Sequence, residues 1–193
     1  MNHYQLVLAS TSVYRRQLLE KLEIPFMTAS PVFDETPKAQ ESPDALVRRL
    51  AEGKARSCYT KKPSLIIGSD QVCVVNNNII GKPGTREKAI EQLTAQSGQR
   101  VSFYTGLSVF NNESGTCHTD IDVFHVHFRT LTKQQIEHYV DKEQPLDCAG
   151  SFKSEKLGIA LFKRLEGDDP NALIGLPLIK LIDMLEQAGM SVL

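Results

Sequence analysis

Apolar positions along the chain alternate between short continuous runs and helical stripes. Tyr4 to Leu8 predicts a strand, followed by a turn of small residues, Ala9-Ser10-Thr11-Ser12. Ser12 caps a helix from Val13 to about Leu22, with Leu18, Leu19 and Leu22 on one face, and Pro25 ends it. An extended piece, Phe26 to Val32, leads into the polar loop Asp34-Glu35-Thr36-Pro37. Ser42-Pro43-Asp44 carries the cap, proline and early acid of a second helix, whose core face holds Leu46, Leu50 and Ala51. Leu65-Ile66-Ile67 reads as a buried strand ending in the polar tip Gly68-Ser69-Asp70. Val72 to Val75 and Ile79-Ile80 form a hairpin around Asn76-Asn77-Asn78. A helix from about Thr85 to Gln96 follows, then a long hairpin of Val101 to Phe110 and Thr116 to Phe128. Thr132-x-x-Gln135 is a capping box for a helix to about Val140. Gly158 to Leu161 predicts a late strand and Leu176 to Ala188 a last helix. Strands joined both by hairpins and by helices predict an α/β fold with a mixed sheet.

Composition narrows the classes of function. At 193 residues, with 41% hydrophobic residues, the chain can bury a core without disulfides. It shows no internal repeat and no linker, which predicts a single domain spanning residues 1–193. Twenty-two basic against 23 acidic residues leave a net charge of −1. That balance gives no footprint for long nucleic acid, although a few local cations could hold a small anion. No apolar run approaches the roughly 18 residues of a membrane span. Met1-Asn2-His3-Tyr4-Gln5 lacks the basic start of a signal peptide. Cys58, Cys73, Cys117 and Cys148 have no disulfide or metal spacing, which predicts reduced thiols and a cytoplasmic protein.

Polar clusters mark the candidate chemistry. Ser10 and Ser12 lie at a strand-to-helix turn with Arg15 and Arg16 in the first helical turn, where cations oppose the helix dipole. Free N–H groups, hydroxyls and guanidinium groups there suit phosphate; solvated arginines beside an ordinary cap are the plain alternative. Asp70 at a strand end is rigidly held, as catalytic and metal-binding carboxylates often are. With Glu35 it could hold magnesium, which takes one or two carboxylates plus substrate oxygens and water. Lys82 sits in a Gly-Lys-Pro turn suited to aiming an ammonium, whereas Lys54, on a helix, could equally be a surface lysine. His125 and His127 share a strand face, a spacing for chelation or for ordinary edge histidines, with no third ligand in sight. Gly167-Asp168-Asp169-Pro170-Asn171 reads as a polar turn. Walker, dinucleotide-binding and nucleophile-elbow patterns are absent from the sequence.

These clusters, in order, resemble the Maf family of nucleoside triphosphate pyrophosphatases over essentially the whole chain. The segments are Leu8-Ala9-Ser10-Thr11-Ser12 with Arg15-Arg16, Asp34-Glu35, Lys54-Ala55, Gly68-Ser69-Asp70-Gln71-Val72 and Gly81-Lys82-Pro83. Ser97-Gly98 with Thr105-Gly106, Phe128-Arg129, Ala149-Gly150-Ser151-Phe152, and Asn171 with Gly175-Leu176-Pro177 complete the set. Gly-Ser-Asp-Gln-Val and Ser-Phe-Lys-Ser-Glu resemble the 7-methyl-GTP-hydrolysing subfamily; relatives with Gly-Thr-Asp-Thr-Val prefer dTTP and UTP. Val13 stands where the family usually has proline. Lys156 stands where close relatives carry glycine, and would be strained if its φ were positive.

The resemblance implies an elongated mixed α/β fold with two lobes around a central cleft, similar to inosine triphosphate pyrophosphatase. It also implies a divalent metal, Mg2+ or Mn2+, held by Glu35 and Asp70, with Asp70 as proton acceptor. Ser10, Arg15, Arg16, Lys54 and Lys82 would bind phosphate, with Arg15, Lys54 and Lys82 forming a clamp whose loss leaves stability little changed. Tyr14, Gln71 and Glu155 would select the base. The expected partner is a small nucleotide, with no long nucleic acid and no membrane; whether the chain forms a homodimer is beyond the sequence. Rival readings are a dTTP/UTP pyrophosphatase, a phosphomonoesterase and a non-catalytic nucleotide-sensing regulator of cell division. No cysteine has a motif for nucleophilic chemistry.

Overall fold

The computed structural model describes residues 3–193; Met1 and Asn2, part of the start read above against a signal peptide, lie outside the described residues. Seven strands form one mixed sheet in the order β2-β1-β3-β5-β6-β7, with β4 paired to β3. The chain divides into two compact units. The first comprises the chain up to Asp70, Thr105–Asp122 and Asp169–Leu193; the second comprises Gln71–Tyr104 and Val123–Asp168. Strands β3 (Ser64–Val75), β5 (Arg100–Asn111) and β6 (Cys117–Phe128) each contribute residues to both. No described helix is long and apolar enough to cross a membrane.

In the first unit, β1 (Gln5–Ala9) pairs in parallel with β2 (Phe26–Ala29) and with β3, Leu6 lying opposite both Phe26 and Leu65. Strand geometry sends successive side chains to opposite faces. Leu6 and Leu8 accordingly enter a core with Leu18 and Leu19 of α1 (Val13–Glu20) and Leu181 and Leu185 of α6 (Leu178–Gln187). Val7 and Ala9 pack on the other side with Ala55 and Cys58, at the end of α2 (Pro43–Ser57). The caps predicted from sequence are present: the Ser12 hydroxyl accepts from the Arg15 amide and Ser42 from Ala45, with Pro43 in the first turn. Pro177, extended and without a side-chain cap bond, stands at the N-cap position of α6, so that helix starts at Leu178 and not at Leu176. The polar stretch read as a turn bends at Gly167 and Asp168 and then opens a short helix, α5 (Pro170–Ile174), capped by Asp169.

The second unit holds β4 (Asn78–Ile80), α3 (Arg86–Gln96), α4 (Lys133–Glu143) and β7 (Phe162–Glu166). Phe103, Phe128, Phe152 and Phe162 stack edge to face, with neighbouring ring centres 4.9–5.7 Å apart. The capping box at Thr132 is present, and α4 runs one turn past the predicted end. Gly158 to Leu161 is not a strand. The amides of Lys156 and Gly158 both donate to the Lys153 carbonyl, which curls Leu157–Leu161 into a 3-10 turn and delays the strand to Phe162. Lys156 itself has φ of −128°, so the positive φ considered for it is absent and it carries no strain of that kind.

Candidate active site

Asp70 lies in the middle of a twelve-residue strand, not at a tip: β3 continues unbroken from Ser64 to Val75. What brings a partner to Asp70 is the approach of α2 to the sheet. A Cβ on Gly68 would sit 2.1 Å from the Ala51 carbonyl oxygen, and one on Gly106 of β5 2.1 Å from the Val47 carbonyl oxygen. With hydrogen at both positions the helix backbone lies directly on the strands. Lys54, one turn after Leu50, is thereby buried, 6% exposed, over an Asp70 that is 9% exposed. Its Nζ donates to Asp70 Oδ1 at 2.7 Å and meets Glu35 Oε2 at 2.8 Å.

Glu35 reaches this point from a tethered loop. Val32 N donates to Ser57 Oγ, Thr36 N to Asp34 Oδ1, and Arg49 Nη2 to the Thr36 carbonyl at 3.1 Å. Arg49 also grips Glu41, with Nε to Oε1 at 2.6 Å and Nη2 to Oε2 at 2.7 Å. Hydrogen bonds from Arg49 and then from the Lys38 amide lower the Glu41 pKa to about 2.

Two carboxylate oxygens thus converge on one cationic point. Hard oxygen donors of this kind fit a divalent cation of the magnesium class, which needs few protein ligands. Among the described residues no group of three His, Cys, Asp or Glu could hold a metal. Substrate oxygens and water would therefore have to complete the shell.

The serine-rich turn before α1 lies beside Arg15. The Ser12 amide donates to the buried Ser10 hydroxyl at 3.1 Å. Arg15 Nε donates to the Gly175 carbonyl at 2.8 Å. Burial lowers the affinity of this guanidinium for its proton, and the charges of Asp70 and Glu35 oppose the shift. A first-turn arginine that opposes the helix dipole is thus explained: its side chain leaves the helix to satisfy a carbonyl and to face two carboxylates. Arg16 is placed differently, paired with Glu20 one turn on, its side chain 62% exposed.

Ser10, Arg15, Glu35, Lys54 and Asp70 therefore belong to one unit, with direct bonds or electrostatic coupling joining all but Ser10. Tyr14, half-buried, stands in the first turn of α1. Gln71 follows Asp70 on β3 and is half-buried. Lys82 is exposed between β4 and α3, with no ion pair or hydrogen bond of its side chain among the described residues. Glu155 is exposed on the loop before the 3-10 turn. The histidines do not converge: His125 Nδ1 pairs with Ser102 Oγ and His127 Nε2 with Glu166.

Sequence reasoning overlooked Asp169. Its signal was there, since an acid directly before proline is a helix-start pattern. Ser69, quoted only as part of a motif, donates its buried hydroxyl to the same Gly175 carbonyl that Arg15 uses.

Comparison with known proteins identifies the family. The family model described as Maf-like protein matches residues 5–188. A protein of Vibrio vulnificus named 7-methyl-GTP pyrophosphatase is 67% identical over 193 residues, all of both chains. Its namesake in Vibrio cholerae is 63% identical over the same span. That of Nitrosococcus oceani is 57% identical over 97% of this chain and 95% of its own. The solved structure of the Staphylococcus aureus Ham1 protein superposes with a TM-score of 0.54, covering 95% of this chain and 99% of that one. At 12% identity it speaks for the mixed α/β fold alone. On the family match and on full-length identities far above any chance resemblance, the chain belongs to the Maf-like protein family.

Proposed function

We propose that this protein is a nucleotide pyrophosphatase that hydrolyses 7-methyl-GTP to 7-methyl-GMP and pyrophosphate. The substrate follows from relatives at 57–67% identity over nearly all of both chains, each named 7-methyl-GTP pyrophosphatase. The observation that carries the chemistry is Asp70, a carboxylate fixed in mid-strand with Lys54 on it and Glu35 beside it.

Asp70 accepts the proton of a water that attacks the α-phosphorus. The water oxygen stays with the nucleoside monophosphate, the bond to the bridging oxygen breaks, and pyrophosphate leaves with the electron pair. A divalent cation bound at Glu35 and Asp70 would offset phosphate charge and make water a better nucleophile at neutral pH. Arg15 and Lys54 supply fixed positive charge where negative charge develops, at no cost of reorganisation during the reaction. Ser10, Arg16 and Lys82 bind further phosphate oxygens, and Tyr14, Gln71 and Glu155 select the base. A Tyr14 ring would gain ~0.5–2 kcal/mol from the cationic methylated purine over neutral guanine. Glu155 could accept from guanine N1–H and the exocyclic amine. None of the four cysteines is in a disulfide, which suits a reducing cytoplasm, where we place the reaction.

Chromatography of both products tests this reading. 7-methyl-GTP incubated with magnesium or manganese should give 7-methyl-GMP and pyrophosphate in equal amounts. Orthophosphate as the first product would make the protein a phosphomonoesterase, and unchanged substrate would make it a sensor.

A further inference from the structure

We propose that Ser69 and Asp169 are positioning residues for the triphosphate, acting through the Gly175 carbonyl on Arg15. This rests on the pyrophosphatase reading above. The Gly175 oxygen takes two bonds, from Arg15 Nε at 2.8 Å and from Ser69 Oγ at 2.9 Å. Ser69 is fully buried and sits immediately before Asp70, so one stretch of β3 sets both the base and the acceptor that holds the arginine.

The carbonyl can act as a fixed point because the turn carrying it is tied down. Asp169, 1% exposed, spends both carboxylate oxygens on backbone and side chain around that turn. Oδ1 accepts from Asn171 N at 2.8 Å and Asn171 Nδ2 at 2.7 Å, and Oδ2 accepts from Ile179 N at 2.8 Å. One carboxylate therefore links the start of α5 to the start of α6, with Gly175 between them. Thr105 Oγ1 holds the Ala172 carbonyl from β5 at 3.0 Å. The Gly175 amide closes the turn on Asn171 and Ala172, and its φ of +117° is one that other residues rarely adopt.

A guanidinium has five N–H donors in one plane. Using Nε on Gly175 fixes the plane, while no other hydrogen bond holds the terminal nitrogens among the described residues. Those nitrogens remain for two phosphate oxygens in the bidentate manner that guanidinium groups favour. Without Ser69 the carbonyl loses one of its two partners and Arg15 its fixed orientation. The triphosphate, not the base, should register the loss.

The test compares wild type with Ser69→Ala, Ser69→Thr and Asp169→Asn. Calorimetry measures binding of inorganic tripolyphosphate, and steady-state kinetics measures hydrolysis of 7-methyl-GTP. Ser69→Ala should weaken tripolyphosphate binding and raise KM by about two- to tenfold, the weight of one net hydrogen bond, with kcat nearly unchanged. Ser69→Thr keeps the hydroxyl and should restore most of the affinity. Asp169→Asn should show the same split in KM against kcat; if it does not fold, the Ser69 pair decides. Unchanged tripolyphosphate affinity in Ser69→Ala, or a threonine variant as weak as alanine, overturns the proposal. Binding is read without turnover, so a wild type that binds tripolyphosphate but releases no pyrophosphate overturns the proposed function and leaves the Ser69 comparison decisive.

Discussion

The residues gathered around Asp70 and the candidates on the exposed loops of the second unit are held in opposite ways. Arg15, Lys54 and Asp70 are buried or half-buried and each is held by another protein group, and Glu35, though more exposed, is paired with Lys54. Lys82 and Glu155 stand exposed on loops. The difference matches two tasks. Breaking a phosphoanhydride needs charges fixed before the substrate arrives, because reorganising them during the reaction raises the barrier. Choosing among bases needs side chains that can vary, and exposed loops supply them. On this view the buried group around Asp70 serves any triphosphate, and of the exposed pair Glu155 helps to choose the base.

The sharpest break is at the base. Asp70→Asn keeps the shape and removes the proton acceptor, and should cost about 100- to 10,000-fold in kcat, as loss of a general base does. It also leaves Lys54 without its buried partner, so circular dichroism must first show that the variant is folded.

Lysine for lysine, the two regions should separate next. Lys54→Ala leaves the largely buried Asp70 carboxylate without its cation; breaking a buried pair costs about 3–5 kcal/mol, so melting temperature should fall with activity. Lys82→Ala should raise KM and leave melting temperature within error. The sequence alone predicts the same outcome for both lysines, and the structure changes that expectation for Lys54. Equal melting temperatures in the two variants would mean that the Lys54–Asp70 pair contributes nothing.

The helix pattern on α2 was legible because Leu46, Leu50 and Ala51 repeat at helical spacing. Lys54 falls on the same face, one turn beyond Leu50, and helical spacing alone could have placed it inward. What no local pattern could show was the acid it meets, because the contact depends on the closeness that Gly68 and Gly106 permit. The mid-strand position of Asp70 was missed for a related reason. Gly68-Ser69 carries a strand-ending composition, yet burial on both sides overrides it. Caps at Ser12, Ser42 and Thr132 were readable because each is settled within four residues. The 3-10 turn at Leu157–Leu161 was not, since the apolar run Gly158 to Leu161 says nothing of the Lys153 carbonyl that curls it.

A smaller effect should follow acidification. The Glu41 pKa is depressed, so its pair with Arg49 stabilises the fold fully above the ordinary carboxylate value of 4.5, and that stability is lost as pH falls toward about 2. Thermal melts of wild type and Glu41→Gln should differ at neutral pH and converge at the acid end. A constant difference across the range would mean that ionisation of Glu41 is irrelevant to the Glu35 loop.

The division of labour between the two groups is tested most directly by a substrate panel on two variants. Values of kcat/KM are measured for 7-methyl-GTP, GTP and UTP with wild type, Glu155→Ala and Asp70→Asn. Asp70→Asn should lower all three by a similar factor, and Glu155→Ala should lower the 7-methyl-GTP value alone, bringing it toward GTP. Equal losses for all three substrates in Glu155→Ala, or UTP as the best substrate of the wild type, would contradict the account.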